Sequence, residues 1–136
     1  MIFFTDRDLG ENIFPSILRS GGIQVERHVD HFPHNTRDGV WIPEVAARGW
    51  YILTHDQKIR YRPLEKAAVL KNGAGMFILI GRASHRELAQ NFINTFAQIT
   101  RFIEKYQRPY IAKIRRPSPA VLVAQGEPGV VELGGS

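Results

Sequence analysis

"WYILTHD", residues 50–56, runs through five uncharged, mostly apolar positions and then turns polar, ending on an acid. A strand with one wet face alternates apolar and polar side chains. Residues 50–54 are apolar on both faces, the pattern of a strand at the centre of a parallel sheet covered on both sides. Parallel neighbours need crossover helices, and the flanking sequence supplies them. Upstream, a helix is expected from near Asp38 to Arg48, with Pro43 forcing a late start or a kink. Downstream, "RPLEKAAVLKNG" (62–73) places Pro63 in a first turn and Gly73 past a last one.

Working outward, "MIFFT" (1–5) has the character of a short buried strand, "NIFPSILRSGG" (12–22) of a helix of about two turns, and "IQVERHV" (23–29) of a second strand. A polar loop is expected from Asp30 to Arg37. "GMFILIG" (75–81) is a further buried strand. In "SHRELAQNFINTFAQITRFIEKY" (84–106) Leu88, Phe92, Phe96, Ile99 and Ile103 repeat at spacings of four, four, three and four, which defines an amphipathic helix. Ser84 and Glu87 have capping-box spacing at its start. Strands alternating with helices predict an α/β fold of three layers, a central mainly parallel sheet between helices, with right-handed crossovers. "PYIAKIRR" (109–116) and "AVLVAQ" (120–125) are expected to add a C-terminal hairpin or edge strands. The chain reads as one domain over 1–125, and 126–136 as a flexible tail.

The net charge of +5 over 136 residues is unevenly distributed. Residues 1–56 carry five arginines against eight acids, among them all five aspartates, for a net −3; residues 57–136 carry thirteen Lys and Arg against five Glu, for a net +8. That division suggests a cation-binding pocket beside a surface that attracts polyanions. The chain contains no cysteine, so disulfides and thiolate metal sites are excluded and any metal must take oxygen or imidazole ligands. No apolar run approaches the roughly 18 residues of a membrane span, and the expectation is a soluble, cytoplasmic protein.

The acids fall at informative places. In an open parallel sheet ligands bind beyond the C-terminal ends of the strands. The first strand runs into Asp6, the third into Thr54-His55-Asp56, and Asp38 opens a helix leading into the third strand, so all three are expected at one sheet edge. Thr54 and Asp56 share a face if the strand persists, which lets the hydroxyl support a carboxylate or a water. Carboxylates crowded together repel unless a cation compensates, and Mg²⁺ or Mn²⁺ is the hard ion suited to them. Asp8 with Glu11 has the spacing of a capping box and is expected chiefly to begin the next helix, with an auxiliary place among the metal ligands. Lys58, Arg60 and Arg62 around Tyr61 have the composition of a rim for single-stranded nucleic acid. His28, His31 and His34 with Asp30 form a rival metal candidate, although Pro33 argues against the helix that would align them.

"IFFTDRDLG" (2–10) followed by "TRDGVWIPEVAARGWYILTHDQKIR" (36–60) resembles the compact PIN-like nucleases related to VapC toxins of toxin–antitoxin pairs. The motifs lie within residues 1–60, and the order of elements extends the likeness loosely to 125. In that group an acid ends the first strand, here Asp6; a second precedes a helix of small apolar residues, here Asp38; and a strand closes on T-x-D, here Thr54 and Asp56. The resemblance implies an endoribonuclease in which Asp6, Asp38 and Asp56, with Asp8 as auxiliary, hold Mg²⁺ or Mn²⁺ and activate water toward an RNA phosphodiester. It also implies a cognate antitoxin protein and, as for many of the group, a homodimer. The chain departs from larger members in the short step of 18 residues from Asp38 to Asp56. It also lacks a direct counterpart of their fourth acid, for which Asp8 and then Glu44 are the nearest substitutes. Two alternatives remain open: a catalytically inactive PIN-like RNA-binding or regulatory module, and a haloacid-dehalogenase-type phosphatase using "DRD" as its D-x-D loop. The second needs a downstream acidic pair, and no aspartate follows position 56.

Overall fold

The computed structural model describes residues 1–58 and 62–134. In chain order the regular elements are strand β1 (Phe3–Thr5), helix α1 (Ile13–Ser20), β2 (Val25–Arg27), α2 (Asp38–Ala47), β3 (Tyr51–Thr54), α3 (Pro63–Lys71), β4 (Gly75–Leu79), α4 (His85–Lys105), β5 (Tyr110–Arg115) and β6 (Val130–Leu133). They build one six-stranded sheet in the order β2-β1-β3-β4-β5-β6, parallel except for β6.

Alternation along the strands divides the core between two faces. Phe3, Leu53, Phe77, Leu79, Ala112 and Ile114 point one way, where α1 (Phe14, Leu18) and α4 (Leu88, Phe92, Ile99) cover them. Phe4, Ile52, Met76, Ile78 and Ile111 point the other way, under Trp41, Ile42 and Val45 of α2 and Val69 of α3. Both faces of β3 and β4 are thus dry, which is why their sequences show no polar alternation. The expected α/β fold with three layers is what forms.

Local signals set most of the boundaries. Pro63 occupies the first turn of α3, where its missing N–H costs nothing. The Ser84 hydroxyl accepts the Glu87 N–H at 3.1 Å and caps α4, whereas the Glu87 carboxylate pairs with Arg116 at 2.6 Å, so only the serine half of the expected capping box operates. Helix α2 begins at Asp38 and continues through Pro43. The proline costs it one hydrogen bond and does not delay its start.

Three expectations need correction. The second strand stops at Arg27, and His28–Asp30 form a 3₁₀ turn. "AVLVAQ" is no strand: Ala120–Val123 make a 3₁₀ turn in which Val123 is buried and its carbonyl oxygen accepts Asn94 Nδ2 of α4 at 2.8 Å. The antiparallel partner of β5 comes instead from the expected tail, with Val130 opposite Arg115 and Leu133 opposite Ala112. The reason is geometric, since Pro117 and Pro119 cannot supply the N–H groups of a tight hairpin and the chain must travel further before it can return. Gly129 allows that return: a Cβ there would lie 1.8 Å from the Arg115 carbonyl oxygen, and its N–H is held by the Thr95 hydroxyl at 2.9 Å. Among the described residues no helix is long and apolar enough to cross a membrane.

Candidate functional site

With the order β2-β1-β3, the chain leaves β1 toward one side of the sheet and later resumes on its other side. A crevice opens at such a switch point beyond the C-terminal ends of the two strands. The Asp6 N–H extends the ladder by one bond to the Leu53 carbonyl (3.0 Å), which fixes Asp6 beside the end of β3. One carboxylate oxygen of Asp6 accepts the Arg7 N–H at 2.7 Å and caps the 3₁₀ turn Arg7–Leu9; the other accepts the Thr54 hydroxyl at 3.0 Å.

That turn carries Asp8 back toward the same place. Its Oδ2 accepts the His55 N–H at 3.1 Å and lies 3.3 Å from the Thr54 Oγ1. A hydroxyl has one proton, so the two carboxylates compete for a single donor. Asp6 is only 5 % exposed, and burial followed by the charge of Asp8 raises its pKa to about 6, against the lowering effect of its hydrogen bonds. Burial also raises Asp8, opposed by the His55 N–H and Thr54. Arg7 Nε lies 3.6 Å from Asp6 Oδ1, yet the Asp6 pKa remains raised, so the two neighbouring acids are still short of positive charge.

The expected trio of Asp6, Asp38 and Asp56 is not assembled in this way. Asp38 Oδ1 accepts Arg7 Nη2 at 2.6 Å and the Trp41 indole N–H at 2.9 Å. Asp56 Oδ2 accepts Arg62 Nη1 at 2.7 Å, while its Oδ1 accepts the Lys58 N–H at 3.1 Å. Both stay within electrostatic range of the pair, since Asp38 contributes to the upward shift of Asp6 and Asp56 to that of Asp8. Thr54 supports Asp6 and Asp8, and also accepts the Asp56 N–H at 3.1 Å. The strand ends before Asp56, so the two do not share a pleat. Asp8 caps no helix: α1 opens at Asn12 without a side-chain cap, because the intervening turn redirects the chain. Glu44 is exposed on α2.

No group of three or more His, Asp or Glu among the described residues stands ready to hold a metal. Two carboxylates sharing one hydroxyl nevertheless fit a hard divalent ion, which commonly takes one or two protein carboxylates and fills its shell with water and substrate phosphate. The histidine alternative does not converge. His28 is buried against Phe4, Phe32 and Trp41, and burial and then Arg7 lower its pKa to about 4. His31 bonds Glu26 and Arg48, and His34 offers its carbonyl oxygen to Arg7.

Basic groups line the same edge. His85 Nε2 lies 3.0 Å from the Asp8 carbonyl oxygen, and His55 Nε2 lies 2.7 Å from that of Gly81. Gly81 adopts φ +116°, and a Cβ there would sit 2.5 Å from Arg116 Nε, so the end of "KIRR" reaches this edge because residue 81 is glycine. Lys58 is exposed, and Arg62 is committed to Asp56. Arg60 and Tyr61 lie outside the described residues. Arg7, His55 and His85 were not anticipated from the sequence. For Arg7 a signal existed, because an arginine between two acids at the end of a buried strand is the nearest source of compensating charge.

Comparison with known proteins agrees with this architecture. The profile of the family described as "PIN like domain" matches residues 1–81, the part that contains all five aspartates. A Mycobacterium tuberculosis (strain ATCC 25618 / H37Rv) protein named "Putative ribonuclease VapC45" is 30% identical over 126 residues, covering 88% of this chain and 89% of its own. No solved structure matches the chain. A profile spanning more than half of the sequence and a relative aligned along most of both chains lead to one conclusion: the chain belongs to the PIN-like domain family.

Proposed function

We propose that the chain is a Mg²⁺- or Mn²⁺-dependent endoribonuclease, and that it acts in the cytoplasm as the toxin of a toxin–antitoxin pair. The observation that carries the proposal is the convergence of Asp6 and Asp8 on the Thr54 hydroxyl at the β1/β3 crevice. The name of its M. tuberculosis relative supports RNA as the substrate, and a VapC relationship supports a cognate antitoxin protein as partner. A homodimer is part of the same proposal.

Asp6 and Asp8 would hold the ion, with Asp38 and Asp56 available once their arginines release them. A divalent ion there supplies Lewis acidity toward a phosphodiester and toward water, and neutralises charge developing on the phosphate. Thr54 fixes the Asp6 carboxylate through its hydroxyl and aligns the backbone at Asp56. Burial of Asp6 keeps bulk water from screening the charges it faces. Lys58, Arg60 and Arg62 would contact RNA phosphates as the strand enters the crevice.

Digestion of a labelled RNA by wild type and by Asp6→Asn, Asp8→Asn, Asp38→Asn and Asp56→Asn tests the proposal. Cleavage should require Mg²⁺ or Mn²⁺, stop in EDTA, and fall by about 100-fold or more in the Asp6 and Asp8 variants. Undiminished cleavage in EDTA or in Asp6→Asn would refute it. A second reading, an RNA-binding module without turnover, is favoured by the pairing of Asp38 with Arg7 and of Asp56 with Arg62. It predicts RNA binding indifferent to EDTA and no cleavage by any of the five proteins.

A further inference from the structure

Arg7 is more deeply engaged than a surface arginine needs to be. Its side chain is 25 % exposed. Nη1 donates to the His34 and Thr36 carbonyl oxygens, both at 2.7 Å, Nη2 donates to Asp38 at 2.6 Å, and Nε lies 3.6 Å from Asp6 Oδ1. One guanidinium thus joins the end of β1, the loop ahead of α2, and the first residue of α2. The pair at Asp56 differs, since Arg62 is 46 % exposed and a solvated ion pair of that kind contributes little.

We propose that Arg7 competes with the divalent ion for its carboxylates: its guanidinium lies between Asp6 and Asp38, in space that the ion would share. It must withdraw from Asp38 before both carboxylates can serve the ion, and in withdrawing it frees the His34–Thr36 loop. The inference rests on the divalent-ion reading given above. An arginine cannot relieve the conflict by losing its proton, so the relief has to be movement. Two positive groups cannot occupy the space between two carboxylates at once, so the guanidinium competes with the metal. Bound to Asp38 and the two carbonyl groups it is a positioning residue for the loop, and in the same place it obstructs a metal.

The test compares wild type, Arg7→Gln, Arg7→Lys and Asp8→Asn as full chains, with Mn²⁺ affinity from calorimetry and melting temperature with and without Mn²⁺. Without added metal, Arg7→Gln should melt below wild type, because two carbonyl groups lose their Arg7 donor and Asp38 keeps only the Trp41 N–H. Its Mn²⁺ affinity should rise about tenfold, in line with removing one charge a few ångströms away in a partly wet site. The Mn²⁺-induced rise in melting temperature should be larger than in wild type. Should Arg7→Gln fail to fold, Arg7→Lys, whose single ammonium cannot span all three acceptors, should bind Mn²⁺ more tightly than wild type by a smaller factor. In wild type, hydrogen exchange at residues 34–37 should accelerate when Mn²⁺ is added.

Binding by wild type that Asp8→Asn loses, while Arg7→Gln or Arg7→Lys leaves it unchanged or weaker, overturns this inference alone. Unchanged or slower exchange at residues 34–37 overturns the coupling to the loop. Absence of Mn²⁺ binding in every protein overturns the divalent-ion reading and the inference with it.

Discussion

At the scale of single residues, the chemistry of the site turns on Asp6, a carboxyl group whose pKa is raised to about 6 from 3.8 chiefly by burial and then by Asp8. The folded chain binds this proton more tightly than the unfolded chain does. The stabilising contribution of the group is therefore fully present below about pH 4 and is lost as the pH rises through about 6. The loss amounts to about 2–3 kcal/mol, at roughly 1.4 kcal/mol per tenfold change in proton affinity. In EDTA, Asp6→Asn should accordingly be more stable than wild type at pH 8, and the gap should close by pH 4 in denaturant titrations at the two pH values. A constant gap would show that repulsion and burial at Asp6 are unimportant. The sequence disclosed which acids reach the sheet edge, because strand ends and acids coincide in it. It did not disclose their partners. Asp8 satisfied a capping pattern on paper, and only the 3₁₀ turn after β1 aims it at Thr54. The place of Arg7 between two acids marks it as a source of charge, but its partners lie 27 to 31 residues away and no local pattern names them.

At the scale of elements, the β-strands and the long helix were legible because each carries its own period: two dry faces in β3 and β4, and a repeating apolar stripe in α4. The C-terminal strand was not. "AVLVAQ" has the apolar content of a strand and "GVVELGG" the glycines of a tail, yet sheet pairing selects the second. What decides between them is room, because the β5 edge is reached only where Gly129 lets the backbone pass against the Arg115 carbonyl. Gly129→Ala should therefore detach β6 or force it out of register. The expected cost is about 2–4 kcal/mol, comparable with overpacking combined with lost ladder bonds, measured by chemical denaturation. Hydrogen exchange should place the effect in residues 111–115 and 130–133. A loss below about 0.5 kcal/mol, the range of an ordinary surface substitution, would contradict this.

At the scale of the whole molecule, the charge division seen in the sequence becomes a division of the sheet. β2, β1 and β3 come from the acidic segment, and β4, β5 and β6 from the basic one, with Asp6, Asp8 and Asp56 gathered at the C-terminal end of the border strand β3. The parallel order was legible from the alternation of elements, but the switch point was not, because order within a sheet is set by which strands meet after folding. Polyanion attraction belongs to this scale. Binding of single-stranded RNA should weaken steeply with added salt, and Lys58→Ala together with Arg62→Ala should lower the slope of log affinity against log salt by about 0.7 for each lost phosphate contact. An unchanged slope would place the RNA elsewhere. If Asp6 and Asp8 meet over Thr54 to hold a divalent ion, anomalous diffraction from Mn²⁺-soaked crystals should show a peak within coordination distance of both carboxylates at the β1/β3 crevice. No peak there, or one held by the His28–His34 segment, would contradict it.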